Sequence, residues 1–152
     1  MSTICDICKH LNTKSNQVFQ NGSWVVALAP DQGYLGRCYV TLREHKPDLA
    51  SLTTQEWRDF SEIVVRLEHV FKKDFGASVC NWASMMNNAF QLDQPAPHVH
   101  WHFRPRYSKE VKIGKHIFRD PLFGHHYDRD QREHIDSELF QGLVVRIRSS
   151  IE

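Results

Sequence analysis

The segment His98-Val-His-Trp-His-Phe-Arg-Pro-Arg106 decides the fold, because polar and apolar residues alternate along it without a break as far as Arg104. Successive side chains of a strand point to opposite faces, so His98, His100, His102 and Arg104 share one face and Val99, Trp101 and Phe103 the other. The apolar face is a core face. The polar face sets three imidazoles ~6.6 Å apart, at two residues of rise each, and such a line is costly to bury without partners. Two chemistries use it. A His-x-His pair can offer two nitrogens to one Zn²⁺ and leave a position open for water, as in a zinc hydrolase or lyase. Alternatively the central imidazole is a nucleophile toward phosphorus, with its neighbours orienting it or donating to the phosphate.

Outward from this strand the pattern is that of one α+β domain, as the 152-residue length also implies. Residues 24–29 and 37–42 are β-rich runs separated by Pro30-Asp-Gln-Gly-Tyr-Leu-Gly36, which reads as a hairpin. Over residues 54–73, Trp57, Phe60, Ile63, Val64, Leu67, Val70 and Phe71 recur at helical spacing. Thr53 and Glu56 form a capping box at the start of that helix, and Gly76 stops it. A strand over 78–86 follows, then a polar loop over 87–97 that leads into the histidine strand. Residues 108–127 are less regular. A second helix is expected from about Asp130 to residue 151, in a tail added to a core that ends near residue 107. Pro105 is expected to turn the strand and leave Arg106 in solvent.

Nineteen basic and eighteen acidic residues leave a net charge of +1, which removes the net electrostatic argument for a nucleic-acid or membrane-surface partner. No apolar run approaches the ~18 residues of a membrane helix. The N-terminal Met1-Ser-Thr-Ile-Cys-Asp carries no basic segment followed by an apolar stretch, so a reducing cytosolic location is expected. The four cysteines are then thiols or metal ligands, with Cys38 and Cys80, inside strands, read as core thiols. His125, His126, Tyr127 and Asp128 either close over the active face or, preferred here, hold the tail to the body. His10, His69, His116 and His134 read as surface residues.

His98-Val-His100-Trp-His102-Phe-Arg104 resembles the histidine triad motif, His-φ-His-φ-His-φ-φ with φ apolar, with Arg104 in place of the last apolar residue. Asn87, eleven residues before His98, and Gln94, four before it, stand where that family places amides near the phosphate. The order of elements agrees too, and Asp120-Pro-Leu-Phe-Gly-His-His-Tyr-Asp128 resembles an extension of bacterial members. The chain is identified as a member of the histidine triad (HIT) family, in the branch that includes bacterial diadenosine polyphosphate hydrolases.

The resemblance implies an α+β HIT-like fold, with an antiparallel sheet, one long helix and a C-terminal helical extension. The triad domain with an N-terminal zinc knuckle spans 1–107, and 108–152 pack on the same domain. It implies a nucleotidyl hydrolase or transferase acting on a dinucleoside polyphosphate or an adenylyl conjugate. His100 is then the nucleophile, with His102 and Gln94 assisting as donors, and Asn87, Gln94, His102 and Arg104 hold the nucleotide phosphates. No cofactor is required for the chemistry. Cys5-Asp-Ile-Cys8 is a Cys-x₂-Cys pair, and by the same resemblance His45 and His98 complete a structural zinc site with Cys5 and Cys8. A homodimer is implied as well, with the helix from Trp57 to Phe71 as an interface element.

Three positions depart from the family pattern. Pro95 follows the phosphate-site Gln where a hydroxyl residue is usual, Asp93 replaces a glycine, and Ala29 falls at the ribose-binding Asp or Asn, where Asp31 substitutes only if the turn is shifted. They keep open a second reading, a non-catalytic purine nucleotide-binding protein. The zinc-dependent hydrolase remains a third.

Overall fold

The computed structural model describes residues 5–152. Residues 1–4, part of the N-terminal stretch read above for a signal, lie outside the described residues.

Five strands form one antiparallel sheet: β1 (Gln17–Gln20), β2 (Trp24–Leu28), β3 (Cys38–Leu42), β4 (Val79–Ala83) and β5 (His100–Arg106). Their order across the sheet is β1-β2-β3-β5-β4, so the histidine strand lies in the interior, flanked by β3 and β4. Thr41 faces His100 and Tyr39 faces His102 across one side, while Ala83 faces His102 and Asn81 faces Arg104 across the other.

The strand begins at His100 rather than His98. Pro97 has no N–H to give, β3 ends at Leu42, and Val99 bonds instead to Leu42 N–H (3.1 Å) and to the Lys46 carbonyl (2.9 Å). Pro105 does not turn the strand. Pairing with β3 stops at Cys38 and Phe103, so Pro105 sits past that ladder, where a missing donor costs no bond to β3.

On the apolar face, Val26, Leu28, Val40, Leu42, Val99 and Phe103 are buried against helix α2 (Thr54–Asp74), which supplies Phe60, Ile63, Leu67, Val70 and Phe71. Phe60 stacks on Trp101 at 4.7 Å and Phe71 meets Phe103 at 5.3 Å between ring centroids. Each such fully buried side chain stabilises by roughly 1.5–3 kcal/mol, and Phe103→Ala would cost roughly 3–5 kcal/mol.

The capping box is present: Glu56 N–H donates to Thr53 Oγ1 (3.2 Å) and Thr53 N–H to Glu56 Oε2 (2.6 Å). Lys46 Nζ donates to both Glu56 oxygens at 2.7 Å, which fixes the loop after β3 to the helix start. Gly36, at φ 82°, lies so close to the Phe71 ring that a Cβ would overlap it.

The tail differs from the sequence expectation in two places. Residues 111–118 form a small hairpin, β6 (Val111–Ile113) and β7 (His116–Phe118), turned at Gly114 with φ 59°. Helix α3 spans Ser137–Ile151 and does not begin near Asp130. Its cap is Asp136, which accepts from Leu139 N–H at 2.8 Å. The residues before it dock on the β2–β3 turn: Gln32 N–H donates to the Glu133 carbonyl (2.9 Å), Glu133 N–H to Asp31 (3.0 Å) and Gln131 Nε2 to the Gly33 carbonyl (2.7 Å). Backbone groups engaged this way are withheld from a helix. Leu143, Val144, Ile147 and Ile151 of α3 join the same core as α2 and the sheet. No helix among the described residues is long and apolar enough to cross a membrane.

Candidate active site and metal cluster

His98 is 1% exposed, and its Nε2 lies 2.7 Å from the Leu42 carbonyl. A carbonyl only accepts, so Nε2 carries the proton and Nδ1 presents a lone pair. Burial also pulls the pKa of His98 below its usual value, which favours the neutral ring. That lone pair faces Cys5 Sγ at 3.5 Å, Cys8 Sγ at 3.3 Å and His45 Nδ1 at 3.3 Å, and Cys8 Sγ lies 3.5 Å from His45 Nδ1. All four donors fall within 4.8 Å of one another. Bonds of 2.0–2.3 Å to a tetrahedral Zn²⁺ require donor–donor edges of ~3.3–3.8 Å, so the spacing and the donor set both fit zinc. The two cysteines reach the cluster because helix α1 (Asp6–His10) carries Cys8 and Cys5 is its N-cap.

His100 points elsewhere. Its Nδ1 bonds the carbonyl of His98 at 2.8 Å, so that nitrogen holds the proton and Nε2 keeps the lone pair. The strand carbonyl is itself the orienting group. Ser84 Oγ donates to the His100 carbonyl at 3.0 Å and ties β5 to the segment after β4. Nothing joins His98 and His100 into one metal chelate, since the four-donor cluster excludes His100.

His102 stands beside His100, with ring centroids 5.1 Å apart, and meets Tyr39 edge-on at 5.4 Å. Burial first, and then the neighbouring His100 ring and the positive charges of Arg104, Arg37 and Arg129, lower its pKa to about 3. It is therefore neutral near pH 7. Its Nδ1 is buried with no partner among the described residues, an orphan polar atom of the kind a ligand satisfies.

Neither arginine of the strand is a solvated cation. Arg104 is 5% exposed, with its guanidinium 4.2 Å over the Tyr127 ring. Arg106, expected in solvent, is buried and paired with Asp120 at 2.6 Å. That carboxylate arrives from the tail, fourteen residues away, and no local signal announces it. The 125–128 cluster does hold the tail: Asp128 N–H donates to Tyr34 Oη at 2.7 Å, and the His125 carbonyl accepts from Arg106 at 3.0 Å. Tyr127 also reaches the active face through Arg104.

Asn87 opens a 3-10 turn (Asn87–Gln91) and Gln94 lies in the loop beyond it, both exposed. Asp31 accepts from Gly33 N–H (2.9 Å), Glu133 N–H (3.0 Å) and Arg37 Nη1 (3.0 Å). Burial alone would raise its pKa, but these donors bring it below its usual value. Arg37 and Tyr39 were not singled out from sequence. Their signal was there: they alternate with Cys38 on a strand adjacent to the triad, and so lie on its face. Of the isolated histidines, His116 is no simple surface residue, since it bonds Glu133 at 2.6 Å.

A family model described as HIT domain matches residues 10–109. The fold is similar to that of a hypothetical histidine triad nucleotide-binding protein from Sulfolobus tokodaii strain 7, with 17% identity and a TM-score of 0.69 over 97% of this chain and 91% of that one. A Zn-bound histidine triad family protein from Mycobacterium smegmatis matches with 18% identity and a TM-score of 0.55, over 89% of this chain and 82% of that one. The diadenosine triphosphate hydrolase of Plasmodium falciparum, solved with Cyclomarin A, matches with 15% identity and a TM-score of 0.57, over 90% and 76%. At these identities the likeness is one of fold. No curated protein matches the sequence at a significant level.

Proposed function

The chain belongs to the HIT domain family, and on that premise we propose that it is a nucleotidyl hydrolase or transferase of the diadenosine polyphosphate hydrolase-like branch. Its substrate is a dinucleoside polyphosphate or an adenylyl conjugate, and its chemistry runs through a nucleotidyl-His100 intermediate. One observation carries this reading: the 2.8 Å bond from His100 Nδ1 to the His98 carbonyl, which leaves Nε2 as an oriented nucleophile.

In the first step Nε2 forms a bond to the α-phosphorus while the bond to the leaving group breaks, and the leaving group departs with the electron pair and takes its proton from solvent. Water then attacks the same phosphorus, the N–P bond breaks and a nucleoside monophosphate is released. His102 and Gln94 donate to the non-bridging oxygens, where charge sits during transfer, and Asn87 and Arg104 help to hold the phosphates. Neutral His102 still carries one N–H for this.

Cys5, Cys8, His45 and His98 would hold a zinc ion, which supplies folding stability. Four protein ligands leave no position for water, so the chemistry needs no cofactor. By this assignment residues 1–107 are the catalytic unit and 108–152 its extension. We place the protein in the cytosol as a homodimer that uses α2, whose Trp57 is 40% exposed. Nucleic acid and membrane are not among its partners.

A binding-only protein is the second reading, and one observation favours it: Asp31, the candidate for the ribose-binding position, already accepts three hydrogen bonds, from Gly33, Glu133 and Arg37. His100→Ala separates the two. The catalytic reading expects turnover to fall to background while AMP affinity stays within about threefold, because the loss is of transition-state bonding. Undiminished turnover in the variant would reject the nucleophile, and AMP binding by the wild type with no product from any adenylated compound would establish the binding protein.

A further inference from the structure

Two arginines on the same face of β5 have opposite surroundings. Arg106 satisfies all five of its N–H donors: two bonds to Asp120 (2.6 and 3.0 Å), and one each to Asn81 Oδ1 (3.1 Å), the His125 carbonyl (3.0 Å) and the Leu122 carbonyl (2.9 Å). Its task is structural: every hydrogen bond it makes to Asp120, Leu122 and His125 fastens the tail to this strand. Arg104, two residues earlier and almost equally buried, makes no hydrogen bond or ion pair among the described residues. Its partner is the face of Tyr127, and the neighbouring charge that acts on it is another cation, Arg37.

Arg37 continues the β3 register opposite Arg104, one step beyond the last paired residues, Cys38 and Phe103. Its Nη1 is engaged by Asp31 and its Nη2 by Tyr39 Oη at 3.2 Å, but its Nε is buried without a partner. The orphan His102 Nδ1 is on the same face. A buried cation lacking a counter-ion is strongly unfavourable, and stacking on an aromatic ring offsets only part of that cost. Five guanidinium donors beside a second guanidinium form a fork suited to phosphate oxygens.

We infer that Arg104 and Arg37, walled by Tyr127 of the tail, form a second anion subsite beside the triad, which takes the phosphate next along the chain from the one His100 attacks. The preferred substrates are then nucleotides with at least two linked phosphates, not nucleoside monophosphate esters or amides. This inference rests on the proposed function for the position of the first phosphate. The rise from His102 to Arg104 is ~6.6 Å, within the combined reach of a long side chain and a diphosphate. On the β4 side, a cleft of about 630 Å³ shares Tyr127 with the subsite and is lined also by Asn81 and Ala83, the strand partners of Arg104 and His102, which gives room to whatever lies beyond the second phosphate.

Calorimetric titration with AMP, with α,β-methylene-ADP, which cannot be cleaved between its phosphates, and with inorganic pyrophosphate tests the subsite. Wild type is expected to bind the methylene analogue at least about tenfold more tightly than AMP, the scale of one or two charge-assisted hydrogen bonds. Arg104→Gln is expected to reduce that ratio to about threefold or less, the loss of affinity falling mainly on the methylene analogue. Equal losses for both ligands, or no preference in wild type, would overturn the subsite. If Arg104→Gln does not fold, the partly exposed Tyr127→Leu carries the test, and an unchanged ratio in that variant overturns the role of Tyr127 and the subsite with it. The proposed function fails separately. Should AMP not bind at all, Arg104-dependent binding of pyrophosphate keeps the anion subsite and removes the nucleotide reading, whereas no pyrophosphate binding removes both.

Discussion

Replacing Asp120 by Ala leaves the Arg106 guanidinium buried and half-satisfied. The two side chains are 2% and 3% exposed, and the lost bonds are those of 2.6 and 3.0 Å plus a longer one from Tyr107 N–H at 3.3 Å. Breaking one partner of a buried ion pair costs roughly 3–5 kcal/mol, because the survivor remains desolvated and unpaired. For a chain of this size each kcal/mol moves the melting temperature by about 2–4 °C, so a fall of about 6–20 °C is expected. Removing both charges in Arg106→Met with Asp120→Ala eliminates the stranded cation and leaves the Asn81, Leu122 and His125 acceptors short of a donor and the Tyr107 N–H short of an acceptor, at roughly 1 kcal/mol each. The double variant should therefore lose clearly less than the sum of the two singles. Thermal and urea unfolding of the four proteins complete the cycle. An Asp120→Ala melting temperature within about 2 °C of wild type, or strict additivity, would refute the assignment of this pair as the fastening of the tail.

Two further outcomes follow from the site. Cys5→Ser with Cys8→Ser should abolish the binding of one equivalent of zinc and lower the melting temperature, as chelation of the wild type should; one equivalent retained in the variant would move the metal elsewhere. His102 has a folded pKa of about 3 against about 6.5 unfolded, so the unfolded chain binds the extra proton between these values. Stability attributable to His102 is thus full above about pH 6.5 and falls by roughly 1.4 kcal/mol per pH unit below it, and His102→Gln should flatten the acid limb of urea stability by about one proton. An unchanged slope would mean that the ring is not desolvated in solution.

The histidine strand, the β2–β3 hairpin and the α2 capping box were legible because each is local: a period of two, a Pro/Gly turn, and a Thr–Glu pair three residues apart. Strand β1 was not, since Gln-Val-Phe-Gln is four residues long with one buried side chain, and its pairing with β2 contains a register irregularity at Gln17/Phe19. The start of α3 was misplaced because residues 131–133 look helix-compatible alone, but Glu133 gives both its backbone groups and Gln131 its side-chain amide to a turn about a hundred residues earlier. The contrast between Arg104 and Arg106 was hidden for the same reason, as Asp120 and Tyr127 meet them only after the tail folds back. His45 and His98, 53 residues apart, came into one reading through family resemblance and not through spacing.

The account stands on His100 as the nucleophile, and trapping the protein in mid-reaction addresses that directly. Rapid acid-free quenching during turnover of a panel of adenylated compounds, followed by intact-mass measurement and peptide mapping, should find an adenylyl group on His100 in wild type and none in His100→Ala. Turnover with no adduct, or the same adduct on another residue in both proteins, would contradict it.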